Sequence, residues 1–226
     1  MPTEIAYLDM TAPAADPLAA RFGTAEDHQV AGQYRHPQGQ RQRLMVRVLL
    51  RALLSRHHPT PAALWRILRA PDGGPHLAID DPARPVPFIS LSHSGDMVAC
   101  AVSATGPIGI DIERIRPDRP VAALAGSAFG PRETAAVEAA GSDAFYRIWT
   151  LREALAKASG AGFGLLMNRT DLVPATPEAP ALPANGTNPE WRFAYWQLPE
   201  AYGLGLVRPT DPSSEEVLAP FRFSEP

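Results

Sequence analysis

The stretch Pro107 to Glu113 constrains this chain most. Ile108, Ile110 and Ile112 alternate with Gly109, Asp111 and Glu113, and side chains two apart along a strand share a face. The segment reads as a half-buried strand, isoleucines on one face and two carboxylates on the other. Carboxylates side by side repel unless a cation sits between them. Some forty residues later, Trp149-Thr-Leu-Arg-Glu-Ala-Leu-Ala-Lys157 reads as a helix. Glu153 and Lys157, four apart, share a face of it. Three acids and an ammonium can thus converge on one magnesium ion and one phosphate. Taken singly, each piece has a plainer reading. Asp-x-Glu makes solvated sheet faces, Glu153 and Lys157 make a helical ion pair of modest worth, and Trp149 makes core. The specificity lies in the conjunction.

The 226 residues suffice for one large domain or two small halves with a real core. Hydrophobic content of 45% and charged content of 20% are those of a soluble globular protein. A net charge of −3 gives no attraction to nucleic acid, so that function class has little support. Met1 to Met10 lacks the basic-then-apolar pattern of a signal peptide. No apolar run approaches the roughly 20 residues that span a bilayer. The single cysteine, Cys100, lies in the apolar run Met97 to Val102 and reads as a buried strand residue, with no internal disulfide possible. The expected compartment is the cytoplasm. Of the 21 lysines and arginines only Lys157 is lysine. Either it is a chance survivor of a compositional bias, or its compact charge does what an arginine fork cannot.

In chain order, Glu4 to Leu8 is expected as an opening strand, and Thr24 as the start of a short helix with Glu26 and Asp27 at its positive end. Gly39 to His57 is strongly helical, with an apolar stripe through Leu44, Met45, Val48, Leu49, Ala52 and Leu53. Arg43, Arg47 and Arg51 line one edge of that helix. Their mutual repulsion is absorbed by solvent and nearby acids, or by an anion. Thr60-Pro61 is expected to open another helix, and Pro71 to Pro75 to form a glycine turn. Val86 to Leu91, Met97 to Ser103 and Pro107 to Glu113 read as strands, with Ser92-His93-Ser94-Gly95 as a donor-rich turn. Helices are expected from Pro131 to Ala140 and from Ser142 to Ser159, the second ended by Gly160. Pro174 to Pro189 reads as a proline-rich loop, Trp191 to Leu198 and Gly203 to Val207 as a closing hairpin, and Asp211 to Pro226 as a tail.

Three motifs together, Ser92-His-Ser-Gly95, Gly109-Ile-Asp-Ile-Glu113 and Trp149-x-x-Arg-Glu-Ala-x-x-Lys157, resemble those of the 4′-phosphopantetheinyl transferases, in the longer, single-chain, surfactin-type branch. The resemblance runs from about Gly39 to Asn168, over half the chain. It implies an α/β (α+β) fold of two pseudo-symmetric halves, each a small antiparallel sheet packed on a long helix, with the ligand cleft between them. Residues 1–105 would form an N-terminal half that binds coenzyme A. Residues 106–226 would form a C-terminal half with the metal-binding carboxylates and carrier-protein docking. The helix-loop region from Arg116 to Ala144, lying between the two acidic pieces, is either a docking surface where Phe129 and nearby alanines meet an amphipathic partner helix or an ordinary surface loop.

The implied activity is magnesium-dependent transfer of phosphopantetheine from coenzyme A to a serine of an acyl, peptidyl or polyketide carrier protein, releasing adenosine 3′,5′-bisphosphate. Asp111, Glu113 and Glu153 would hold the metal. Glu153, Lys157 and His93 would be catalytic, with Glu153 or a water it holds as the base. Arg43, Arg47, Gly74, Pro75, Ser92, His93 and Lys157 would contact the coenzyme. Two departures bear on this. The motif's first basic residue is Arg152 instead of lysine, of no consequence if it faces solvent. A lysine is also missing from the turn Gly73-Gly74-Pro75, and the segment Glu26 to Gly32 offers only His28, so Arg43 is expected to replace the missing grip on the 3′-phosphate. A monomer is expected, without nucleic-acid or membrane partners. The rival functions are a magnesium-dependent phosphoanhydride hydrolase and a non-catalytic coenzyme A or carrier-binding module.

Overall fold

The computed structural model of the chain describes residues 3–57, 61–70, 73–80, 85–162, 164, 169–175, 191–210 and 219–223. It is a mixed α+β fold of small sheets and several helices. Its contacts divide into two units, Met1–Gly106 with Glu215–Pro226, and Pro107–Ser214. Among the described residues no helix is long and apolar enough to cross a membrane.

In the first unit, β1 (Glu4–Asp9) is one of the two inner strands of a four-stranded sheet. It pairs antiparallel with β5 (Met97–Ser103), Glu4 opposite Val102 and Asp9 opposite Met97, and β5 pairs in turn with β4 (Phe88–Ser94). On its other side β1 meets the short parallel β9 (Phe221–Arg222), so part of the expected tail is sheet. The long helix α3 (Pro37–His57) lays Val48, Leu49, Ala52 and Leu53 on Ala6, Leu8, Val98, Cys100 and Val102 in one buried core. Apolar side chains at alternate strand positions and at helical spacing meet here as the two periodicities require. The helix α1 (Ala15–Phe22) adds Leu18 to that core. Cys100 is fully buried, and burial pushes its thiol far above the ordinary range, which leaves it inert.

The helix α2 (Ala25–Gly32) begins at Thr24 with a reciprocal capping box to Asp27. Asp27 also answers the arginine edge. Its buried carboxylate accepts from Arg47 Nε at 2.5 Å and from Arg51 Nε at 2.7 Å. Burial pushes the Asp27 carboxyl up, but the hydrogen bonds and charges of Arg51 and Arg47 outweigh it and hold it below its ordinary value. The same guanidiniums donate to the carbonyls of Ala62, Trp65 and Ile67. This explains a correction. The helix expected from Thr60-Pro61 is only a 3-10 turn, Ala62–Leu64, followed by β2 (Arg66–Arg69), with Thr60 itself outside the described residues. Carbonyls that a helix would pair with its own amides are satisfied here by arginine side chains. β2 forms a separate two-stranded sheet with β3 (Pro75–Ala78).

In the second unit, β6 (Gly109–Arg114), β8 (Tyr202–Pro209) and β7 (Trp191–Leu198) form an antiparallel sheet in that spatial order. The helices α4 (Val121–Ala128) and α5 (Pro131–Ala140) pack with α6 (Ser142–Ser159), which crosses the sheet. A residue at Gly160, with φ of 68°, ends α6 in the left-handed conformation that favours glycine. The core runs through Phe129, Phe145, Ile148, Leu151, Ala154 and Leu155, with Trp149 only half-buried at its margin. Most of the expected loop after Pro174 lies outside the described residues.

Candidate active site

α6 reaches the acids of β6 because glycines let it. A Cβ on Gly109 would lie 1.8 Å from the Ala154 carbonyl oxygen, and one on Gly205 would lie 3.0 Å from the backbone of Thr150. Gly109, Asp111 and Glu113 share a face of β6, so the face that touches α6 is the one carrying the acids. The opposite face, Ile108, Ile110 and Ile112, is also buried. Register places Gly205 opposite Asp111 and Gly203 opposite Glu113, so the strand beside the acids projects no side chains toward them. This glycine pair was not singled out in the sequence. Its signal was the Gly-x-Gly alternation in a strand otherwise rich in large side chains.

Asp111 and Lys157 meet directly. Lys157 Nζ donates to Asp111 Oδ1 at 2.7 Å and to the Ile110 carbonyl oxygen at 2.9 Å. The lysine therefore turns across to the strand, where the sequence allowed a local pair with Glu153. Glu153, one turn earlier, is pushed up to about 7, first by burial, then by the charge of Asp111, with Lys157 opposing and Glu113 adding. All four groups thus occupy one electrostatic neighbourhood. Among the described residues, no three His, Cys, Asp or Glu side chains stand at metal-holding distances. Asp111 here takes the ammonium instead. As a donor set, Asp111, Glu113 and Glu153 still offer the hard carboxylate oxygens that magnesium prefers, from two rigid elements facing each other.

Arg152, the departure from the motif, is fully buried, so the condition under which it would be of no consequence does not hold. Its Nη1 donates to Glu133 at 2.6 Å and to the Thr170 carbonyl, its Nη2 to the Ala128 carbonyl, and the guanidinium lies 5.3 Å from the Phe129 ring centroid. Burial lowers the proton affinity of Arg152, and Glu133 restores much of it. Glu133 also accepts from the backbone amides of Gly130, Leu172 and Val173. Phe129, one of whose two readings was a contact to a partner helix, is buried in a stack with Phe145 whose ring centroids lie 5.4 Å apart.

The remaining expected residues lie in the first unit. Ser92 and His93 are strand residues of β4, paired with Ala99 and Val98, and only Gly95 and Asp96 make the turn. Gln42 Nε2 and Gln38 Nε2 from α3 both donate to the Gly95 carbonyl, at 2.9 and 3.3 Å. The hairpin end that bears His93 is thus docked on the start of α3, the part that carries Arg43. Gly74 and Pro75 sit at the β2–β3 connection, where the Gly74 carbonyl accepts from Ala70 N. Arg47, expected as a coenzyme contact, donates to Asp27, Glu26 and the Ile67 carbonyl. Arg43 lies 4.8 Å over the Tyr34 ring.

Fold and site together define a class: an α+β enzyme whose strand and helix acids meet one ammonium on a single sheet face. The 4′-phosphopantetheinyl transferase superfamily matches residues 107–207, which hold β6, α6 and β8 up to the last match at Val207. The chain is 34% identical over 145 residues to the 4′-phosphopantetheinyl transferase AcpT of Salmonella typhi, covering 62% of this chain and 70% of that one. It is 39% identical over 114 residues to AcpT of Escherichia coli, covering 49% and 55%. It is 28% identical over 148 residues to the transferase Sfp of Bacillus subtilis, covering 64% and 63%. The chain belongs to the 4′-phosphopantetheinyl transferase superfamily.

Proposed function

We propose that the chain, as a member of the longer single-chain branch, transfers 4′-phosphopantetheine from coenzyme A to a serine hydroxyl of an acyl, peptidyl or polyketide carrier protein, with magnesium. The observation that carries this reading is the meeting of Asp111 and Lys157 under Glu153, inside the stretch that matches the family. Asp111, Glu113 and Glu153 would hold magnesium, which when bound offsets charge on the diphosphate.

The serine oxygen bonds to the phosphorus that carries pantetheine. The bond from that phosphorus to the bridging oxygen breaks, and the oxygen leaves with adenosine 3′,5′-bisphosphate. The serine proton goes to a carboxylate, for which Glu153 is the candidate because it faces Asp111 from the helix. Lys157, reaching past Asp111, presents its ammonium to a diphosphate oxygen as a compact charge. His93 and Ser92 contact coenzyme phosphates from the β4 end, Gly74 and Pro75 give backbone contact, and Arg43 grips the 3′-phosphate.

The test is to incubate the full chain with an apo carrier protein, coenzyme A and magnesium, and to weigh the carrier. A gain of one phosphopantetheine supports transfer. Free phosphopantetheine with an unmodified carrier indicates a hydrolase, and binding without turnover indicates a binding module. Either overturns the proposal.

A further inference from the structure

Along one edge of α3 three arginines fall at successive turns, and the structure treats them differently. Arg47 and Arg51 are buried and neutralised by Asp27, with Glu26 adding to Arg47. Arg43 is half-buried, and among the described residues no acid pairs with it and no hydrogen bond engages it. What holds it is a ring: the guanidinium carbon stands 4.8 Å from the Tyr34 centroid. Tyr34 is itself fixed, its amide donating to the Ala31 carbonyl at 3.1 Å and its carbonyl accepting from Gln40 Nε2 at 2.7 Å. Tyr34 is one of the few large apolar residues with substantial exposure among the described residues, at 36%. An aromatic face restrains a guanidinium without using its N–H donors, so the planar fork is oriented while its donors stay open.

We infer that Tyr34 is a positioning residue that sets Arg43 for a phosphomonoester dianion, and so makes the chain discriminate coenzyme A from its form lacking the 3′-phosphate. The inference rests on the coenzyme A reading above. An arginine spread over an aromatic face loses less freedom on binding than one waving in solvent, and a fork meets a terminal phosphate bidentately. The diphosphate is common to both forms of the coenzyme, so only the terminal phosphate senses this pair.

The experiment measures, by titration calorimetry on the full chain, affinity for coenzyme A and for dephospho-coenzyme A. The wild type is expected to favour coenzyme A by about 10-fold or more, the scale of a hydrogen-bonded charge contact. Tyr34→Leu should cut that ratio about 3- to 10-fold, leave affinity for the dephospho form within about twofold, and leave the melting temperature unchanged. Tyr34→Phe, which keeps the ring, should keep the ratio, and Arg43→Ala should remove it. The inference is overturned if Tyr34→Leu leaves the ratio intact, or if it weakens both ligands equally, as a merely structural residue would. A wild type that binds both forms equally overturns it while leaving the transfer reading standing. A wild type that binds neither overturns both.

Discussion

Gly109→Ala tests how the site is assembled. The added Cβ would stand 1.8 Å from the Ala154 carbonyl oxygen and 2.8 Å from the Ala158 amide nitrogen. Ordinary carbon–oxygen contact needs about 3.3 Å, so α6 or β6 must yield by roughly 1.5 Å. Both neighbours are backbone, with no side chain to swing aside. Overpacking of this kind costs typically 1–3 kcal/mol, and this case belongs at or above the upper end because a helix must move as a body. The same movement acts on Lys157, three residues beyond Ala154, and would open its 2.7 Å contact with Asp111. A misplacement of about 1 Å is enough to cost on the order of 10²-fold in rate. Urea unfolding with the carrier-modification assay on the same preparation measures both effects. Gly126→Ala is the control, because nothing lies within 4 Å of its added Cβ and it sits inside α4. That change should stabilise by about 0.5–1 kcal/mol. If Gly109→Ala unfolds within about 0.5 kcal/mol of wild type and keeps its rate, the close crossing of α6 over β6 is wrong.

Other perturbations separate structural from chemical charges. Asp27 has its carboxyl held below the ordinary value of 3.8. The stability it contributes is therefore present above that value and lost as pH falls through the folded one; Asp27→Asn should flatten the acid limb of urea midpoints taken from about pH 6 down to about pH 3, and an unchanged limb would refute this. Glu133→Ala leaves the buried Arg152 without its acid, so a loss of about 3–5 kcal/mol is expected in denaturant melts. A loss below about 1 kcal/mol would count against the buried pair. Asp111→Asn and Glu153→Gln should each abolish carrier modification while circular dichroism and melting temperature stay near wild type, and a variant with wild-type turnover would remove its residue from the proposed mechanism.

Much of the fold was legible because its signals are periodic. The three-residue alternation around Asp111 identified β6, and the apolar stripe from Leu44 to Leu53 identified α3, since each pattern survives only on one kind of element. The end of α6 was legible in Gly160 for the same local reason. The errors arose where long-range contacts replace local ones. Thr60-Pro61 has the signature of a helix start, but Arg51 and Arg47 take the carbonyls of Ala62, Trp65 and Ile67, and no sequence spacing announces that. Arg152 gave no sign that it would be buried, because its partner Glu133 lies 19 residues away on another helix. The docking reading of Phe129 fails for the same reason, its cover being Phe145 and Arg152.

The charges of this molecule fall into two kinds, and the distinction bears on which of them do chemistry. Asp27 meets two arginines and Glu133 meets one, and each of these acids also takes backbone amides or ties its arginines to carbonyls. Such clusters are closed: each charge meets an opposite one inside its own unit, and burial is tolerable for that reason. Around α6 and β6 the proportion is inverted, with three acids sharing the neighbourhood of a single lysine. Glu153 registers the imbalance, its carboxyl raised to about 7 first by burial and then by Asp111, with Lys157 only partly opposing. A fold gains nothing in stability from holding like charges together in a half-buried place. The glycines at 109 and 205 nevertheless bring a helix close enough to enforce it, and β8 keeps its face toward the acids bare. An arrangement that costs stability and is held by close backbone contact is the expected mark of a site kept for what it binds.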